Sequence, residues 1–114
     1  MLSHNRKGTD MKRLFTGGRV LRADHTFEDN CPVLIEDDKI LAVGADCNNY
    51  VADQTEELVG LTVLPGLVDV HTHGRAGFDF NDATEEEMRL MRTDYARHGV
   101  TSVMATLASD TKEG

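Results

Sequence analysis

Basic residues are scarce in this chain: 12 Lys and Arg stand against 20 Asp and Glu, giving a formal net charge of −8. Phosphate backbones and anionic membrane surfaces are held by an excess of Lys and Arg, so this balance argues against both nucleic acid and membrane as partners. Long apolar runs are missing as well. No stretch approaches the ~18 residues of a membrane span, and the amino end is polar where a signal peptide would carry its apolar core; a cytoplasmic location is expected. Cysteine is limited to Cys31 and Cys47, far apart and outside any Cys-x-x-Cys pattern. Without secretory cues this predicts reduced thiols. Two prolines and ten glycines in 114 residues give no compositional sign of disorder. A hydrophobic content of 39% is enough for one modest core.

Residues 1–11 lack any periodic pattern and read as a flexible tail. Short strand-like runs follow at Leu14–Thr16, Val20–Arg22, Val33–Glu36, Ile40–Val43 and Leu58–Leu64, divided by turn residues, with Asp46–Thr55 as loop. Residues 12–64 are therefore expected to form a β module. Its clearest piece is the hairpin of Val33–Gly44, turning at Asp37-Asp38, residues that tolerate positive φ.

After Pro65-Gly66 the period changes. Leu67–Val70 make an apolar strand, Gly74–Asp82 a loop, and about Glu85–His98 a helix. Thr84 and Glu87 have the spacing of a capping box, Glu85 and Glu86 suit the positive end of the helix dipole, Arg97 and His98 suit the other end, and Gly99 fits a left-handed C-cap. Met88, Met91 and Tyr95 share one stripe, read as the packing face. Val100–Leu107 reads as a buried strand, small or apolar on both faces. Strand, helix and strand make one βαβ unit with parallel strands and a right-handed crossover. Ser109–Gly114 reads as the start of a further helical segment.

The chemical signal lies in Pro65-Gly66-Leu67-Val68-Asp69-Val70-His71-Thr72-His73-Gly74. Side chains alternate along a strand, so His71 and His73 project to one face with their Cα atoms about 6.6 Å apart, within reach of one metal ion. A bare His-x-His pair is weak evidence alone; its place at the end of an apolar strand, before a glycine-containing loop, is where parallel α/β sheets put their sites. Zinc and similar ions take three or four protein ligands, plus an open water position where they do chemistry, so this pair is half a site. Asp69 has the same parity. It is either a partner for the second ring nitrogen of a ligand histidine, in the shell behind the metal, or a carboxylate paired with backbone amides. Arg75 is read as a solvated loop residue, and His4, His25 and His98 belong to no constellation.

With those motifs in hand, Lys12–Leu107 resembles the amino-terminal part of the amidohydrolase superfamily, and within it the N-acetylglucosamine-6-phosphate deacetylase family. The resemblance rests on Val33–Gly44, on residues 65–73, on His73-Gly74-x-x-Gly77-x-Asp79 and on Gly99-Val100-Thr101-Ser102. It implies an α/β fold in which residues 12–64 are part of a small β-sandwich and residues 65–114 start a metal-dependent (β/α)8 barrel with its first βαβ unit. It makes His71 and His73 metal ligands for a divalent ion, zinc first, with iron, manganese or cobalt as alternatives. The function implied is the amino-terminal fragment of a deacetylase acting on a small amino-sugar phosphate, with no catalytic residue in this chain and a homo-oligomer expected. A complete barrel takes about 250 residues, so the remaining ligands and a catalytic aspartate are expected beyond residue 114. Another amidohydrolase, such as a cyclic-amide hydrolase or deaminase, and a non-catalytic association module are the alternatives.

Overall fold

The computed structural model describes residues 11–109, and the chain divides after Leu64 into two units. The expected tail up to Asp10 and the expected helical start from Asp110 lie outside the described residues. Met11, assigned above to the tail, is held at both ends of its peptide: its N–H donates to Asp37 Oδ1 at 3.1 Å and its carbonyl accepts from the Asp37 N–H at 3.1 Å.

In the first unit β1 (Lys12–Thr16), β2 (Arg19–Leu21), β3 (Phe27–Glu28), β4 (Val33–Glu36), β5 (Lys39–Val43), β6 (Gln54–Glu57) and β7 (Thr62–Val63) form two sheets, ordered β5-β4-β1-β6 and β3-β2-β7. The expected hairpin is there, with Glu36 opposite Lys39 and Asp37 at φ 53°. Alternation along β4 explains why two apolar clusters form. Val33 and Ile35 join Val20, Cys31, Phe15, Val43 and Val63, whereas Leu34 turns to the other face and packs with Ala42, Cys47, Leu14, Leu41 and Ala52. Leu41 shares that second face because the ladder slips between Leu34 and Ile35, which leaves it as the extra residue of a bulge.

Two readings of this half are corrected. The segment expected as loop holds a 3₁₀ turn, Gly44–Asn49, which buries Cys47, and then β6, an exposed polar strand that pairs parallel to β1. Main-chain pairing with β1 and the exposed Arg13–Glu56 ion pair at 3.7 Å order Gln54–Glu57, so no apolar alternation marks it. Leu58–Leu64 is not one strand: the chain turns at Val59-Gly60, with Gly60 at φ 80°, and only Thr62–Val63 pair, parallel to β2.

The second unit consists of β8 (Leu67–Thr72), β9 (Gly74–Arg75), β10 (Phe78–Asp79), α1 (Glu85–Arg97) and β11 (Val100–Ala105). β8 and β11 pair in parallel, from Val100 opposite Leu67 to Ala105 opposite Thr72, with α1 as the crossover. Thr84 caps α1 as its sequence predicts: its Oγ1 accepts from the Glu87 N–H and its own N–H donates to Glu87 Oε2 at 2.7 Å. The helix ends before Gly99 at φ 82°. Met91 and Tyr95 are buried, whereas Met88 of the same stripe is 45% exposed. The expected loop contains the β9–β10 hairpin, turning through Ala76 and Gly77 at φ 58° and 86°. Burial departs most from expectation in the strands. Leu67, Val68 and Val70 keep 59%, 65% and 68% of their surface exposed, and Met104 keeps 64%. Sequences suited to burial on both faces here have one helix against them.

Candidate metal centre

His71 is the penultimate residue of β8 and His73 follows its end, so both sit at the carboxyl end of a strand in a parallel pair. Parity brings their rings together: the centroids are 5.1 Å apart and the planes 83° from parallel. With Zn–N bonds of about 2.0–2.1 Å at tetrahedral angles, the centroids of two ligand imidazoles fall about 5 Å apart. The observed spacing therefore fits two adjacent ligands of one divalent ion. Both side chains are exposed, which leaves them open to a cation. Among the described residues no group of three or more His, Cys, Asp or Glu side chains is placed to hold a metal, so the donor set is two imidazoles.

The backbone around the pair is held on every side. Asp69 is half-buried, and its Oδ1 accepts from the His71 backbone N–H at 3.2 Å, an interaction with the main chain next to the ring. The Thr72 carbonyl accepts from the Thr106 N–H at 2.9 Å, and the His73 carbonyl accepts from the Phe80 N–H at 2.8 Å. The second bond closes the β9–β10 hairpin directly behind His73. Gly74 is needed there, since a Cβ at this position would lie 2.0 Å from the Phe78 carbonyl oxygen. Further out, the Asn81 side chain donates to the Ala108 carbonyl at 2.9 Å and accepts from the Ala108 N–H at 3.0 Å, tying the loop to the segment after β11.

Thr72, on the opposite parity, points away from the imidazoles toward α1. Its hydroxyl is hydrogen-bonded to the hydroxyl of buried Tyr95, which also donates to the Gly74 carbonyl at 3.2 Å. Arg75 is not a solvated loop residue. It forms an ion pair with Asp94 and lies 5.5 Å from the centroid of the Tyr95 ring. Sequence reasoning placed Tyr95 on a packing stripe and missed its polar end; the signal available was a phenol among buried positions, which ordinarily finds a partner. His98 is engaged elsewhere, with its Nδ1 2.8 Å from the Asp94 carbonyl oxygen; His25 belongs to the first unit, and His4 lies outside the described residues.

No family profile matches the chain. Among curated proteins it is 40% identical over 80 residues to a dihydroorotase from Syntrophotalea carbinolica, a match covering 69% of this chain and 19% of that protein. It is 33% identical over 92 residues to an N-acetylglucosamine-6-phosphate deacetylase from Vibrio furnissii, covering 81% and 23%. The structure superposes with a TM-score of 0.72, at 31% identity, on an N-acetyl-D-glucosamine-6-phosphate deacetylase variant from Mycobacterium smegmatis in complex with N-acetyl-D-glucosamine-6-phosphate, covering 90% of this chain and 26% of that one. The chain thus spans about a fifth of the curated relatives and about a quarter of the solved structure. No helix among the described residues is long and apolar enough to cross a membrane. The strands and helix make a partial amidohydrolase fold, a small β-sandwich portion and the first βαβ unit of a (β/α)8 barrel. The chain belongs to the amidohydrolase superfamily and resembles, within it, the amino-terminal part of the N-acetylglucosamine-6-phosphate deacetylases.

Proposed function

We propose that this chain is the amino-terminal part of a metal-dependent deacetylase acting on N-acetylglucosamine 6-phosphate, and that His71 and His73 are its first two metal ligands. The observation that carries the reading is the imidazole pair, 5.1 Å between centroids, at the carboxyl end of the first strand of a βαβ unit. The structural match to a deacetylase over 90% of the chain supports the substrate class. A bound divalent ion supplies Lewis acidity toward an amide carbonyl and an acidified water. This chain's own residues hold the ion: His71 and His73 as neutral nitrogen donors, with the Asp69 carboxylate fixing the main chain beneath His71. Two imidazoles make half of such a site, so the complete enzyme would draw its further ligands and a proton-carrying group from residues other than those described.

The test has two stages. Co²⁺ is titrated into the 114-residue protein and into His71→Ala; saturable weak binding lost in the variant supports the pair as ligands, and equal binding by both overturns it. Genomic DNA is then read beyond the Gly114 codon and the extended product assayed for acetate release from N-acetylglucosamine 6-phosphate. The 114-residue chain itself is expected to show negligible turnover.

Two alternatives carry specific observations. The dihydroorotase match favours a cyclic-amide hydrolase, and an extended product that opens dihydroorotate and leaves the amino-sugar phosphate untouched would establish it. The exposed apolar strands β8 and β11 favour self-association, which sedimentation velocity of the 114-residue chain measures directly.

A further inference from the structure

We infer that Tyr95 is a positioning residue for the histidine pair, acting from the helix side of β8 through its hydroxyl; the inference rests on the proposal that the pair holds a metal. Tyr95 is 4% exposed, so its phenol must find partners inside the protein. It finds them on both sides of one ligand. Thr72 and Gly74 flank His73 in sequence, and the phenol bonds the Thr72 hydroxyl and the Gly74 carbonyl, the latter at 3.2 Å. The three groups close a triangle, since the Thr72 hydroxyl also reaches the Gly74 carbonyl at 3.4 Å; the shorter path has Thr72 Oγ1–H donating to Tyr95 Oη and Tyr95 Oη–H donating to the Gly74 carbonyl. Strand alternation makes this possible, because the residue between two histidines on one face points to the other, where α1 lies.

The phenol is itself fixed. Met91 of the same helix is buried one turn before it, and the Arg75 guanidinium, paired with Asp94, lies 5.5 Å from its ring centroid. The anchor therefore belongs to the helix, and the crossover element sets where His73 stands. Metal ligands need placement to within about 0.5 Å, and loss of a group that orients a ligand ordinarily lowers metal affinity about 10–100-fold. An aromatic ring without its hydroxyl would fill the same space, cut the tie between α1 and the strand, and leave the Gly74 carbonyl only the longer bond from Thr72.

The experiment uses the full 114-residue chain and Tyr95→Phe, with Thr72→Val as a second variant that removes the other end of the same link. Two quantities are read: amide hydrogen exchange at Phe80, whose N–H donates to the His73 carbonyl, and the midpoint of a Co²⁺ titration followed on the imidazole resonances of His71 and His73. Exchange at Leu67, whose N–H donates to the Gly99 carbonyl at the opposite end of β8, serves as the reference for global opening. The expected result for either variant is exchange at Phe80 accelerated about tenfold relative to Leu67 and a Co²⁺ midpoint raised about tenfold. In the double variant the shift stays within about twofold of either single change, since one link is broken in each. Parent-like exchange and midpoint in Tyr95→Phe would overturn the inference. Accelerated exchange in a chain whose parent takes up no Co²⁺ would refute the metal reading and uphold the positioning role. Should Tyr95→Phe fail to fold, Thr72→Val carries the same two outcomes.

Discussion

Met91→Ala should destabilise the βαβ unit far more than Met88→Ala, although both residues lie on one stripe of α1. Met91 is 1% exposed and Met88 is 45% exposed, and Met91 and Tyr95 are the only buried residues of the helix. Removing a fully buried Met side chain forfeits its transfer free energy and leaves a void, together about 2–3 kcal/mol at the low end of the measured range for such truncations. At Met88 roughly half of the side chain is already in water, and alanine is the better helix former, so the net loss is under about 1 kcal/mol. For a domain of this size each kcal/mol moves the melting temperature by about 4–8 °C, so the difference of about 1–3 kcal/mol between the two variants separates them by at least about 4 °C, and by about 10 °C at the middle of these ranges. Thermal unfolding followed by circular dichroism at 222 nm measures both, with urea midpoints as the second probe. Equal shifts would mean that the buried Met91 side chain does not anchor α1 in the second unit.

Thr84→Ala removes one half of a reciprocal cap and should cost about 1 kcal/mol, read as lower helical ellipticity at a given temperature. Gly74→Ala places a Cβ against the Phe78 carbonyl, so the β9–β10 hairpin should open and exchange at the Phe80 amide should rise; unchanged protection would contradict the close approach. Burial pushes the Cys47 thiol above its ordinary value, so its contribution is complete below that value and is lost as pH rises through the folded one. The urea midpoint should therefore fall between pH 7 and pH 10 more steeply in the parent than in Cys47→Ala. The Thr26 hydroxyl and amide hold the Asp24 carboxyl below its ordinary value; its contribution is present above that value and lost as pH falls through the lowered one. Asp24→Asn should flatten the acid limb of stability, and an identical acid limb in the variant would remove Asp24 from the account.

Where local pattern decides structure, the sequence is a sufficient guide. The helix is legible to within a residue, because Thr84, Glu87 and Gly99 each mark an end by their own chemistry. The Val33–Val43 hairpin is legible because Asp37 accepts the positive φ that a two-residue turn requires. Gln54–Glu57 is illegible for the opposite reason: nothing in four exposed polar residues asks for a strand, and only the edge of β1 provides one. Leu58–Leu64 misleads because its apolar content suggests one strand, while Gly60 breaks it and leaves two paired residues. At the metal centre the parity of His71 and His73 is written in their spacing, and the ring contact follows from it. The link from Thr72 through Tyr95 to Gly74 joins residues more than twenty positions apart, and no spacing rule reaches that far.

The same parity argument explains why the candidate site and the exposed apolar strands occur together. A parallel strand carries its ligands at the carboxyl end and its apolar residues along its length, since barrel layers cover both of its faces. In this chain Val68 and Val70 alternate with Asp69 and His71 along β8, and both valines keep about two thirds of their surface in water. Those side chains contribute little hydrophobic stabilisation until another layer covers them, whereas the imidazole pair needs only its own strand, the hairpin behind His73 and the phenol of Tyr95. The pair should therefore keep its geometry under conditions that loosen the strands. In urea, the nuclear Overhauser contacts between the rings of His71 and His73 should persist until the α1 amides lose protection, and their loss at a lower concentration would show that ligand geometry depends on covering the sheet.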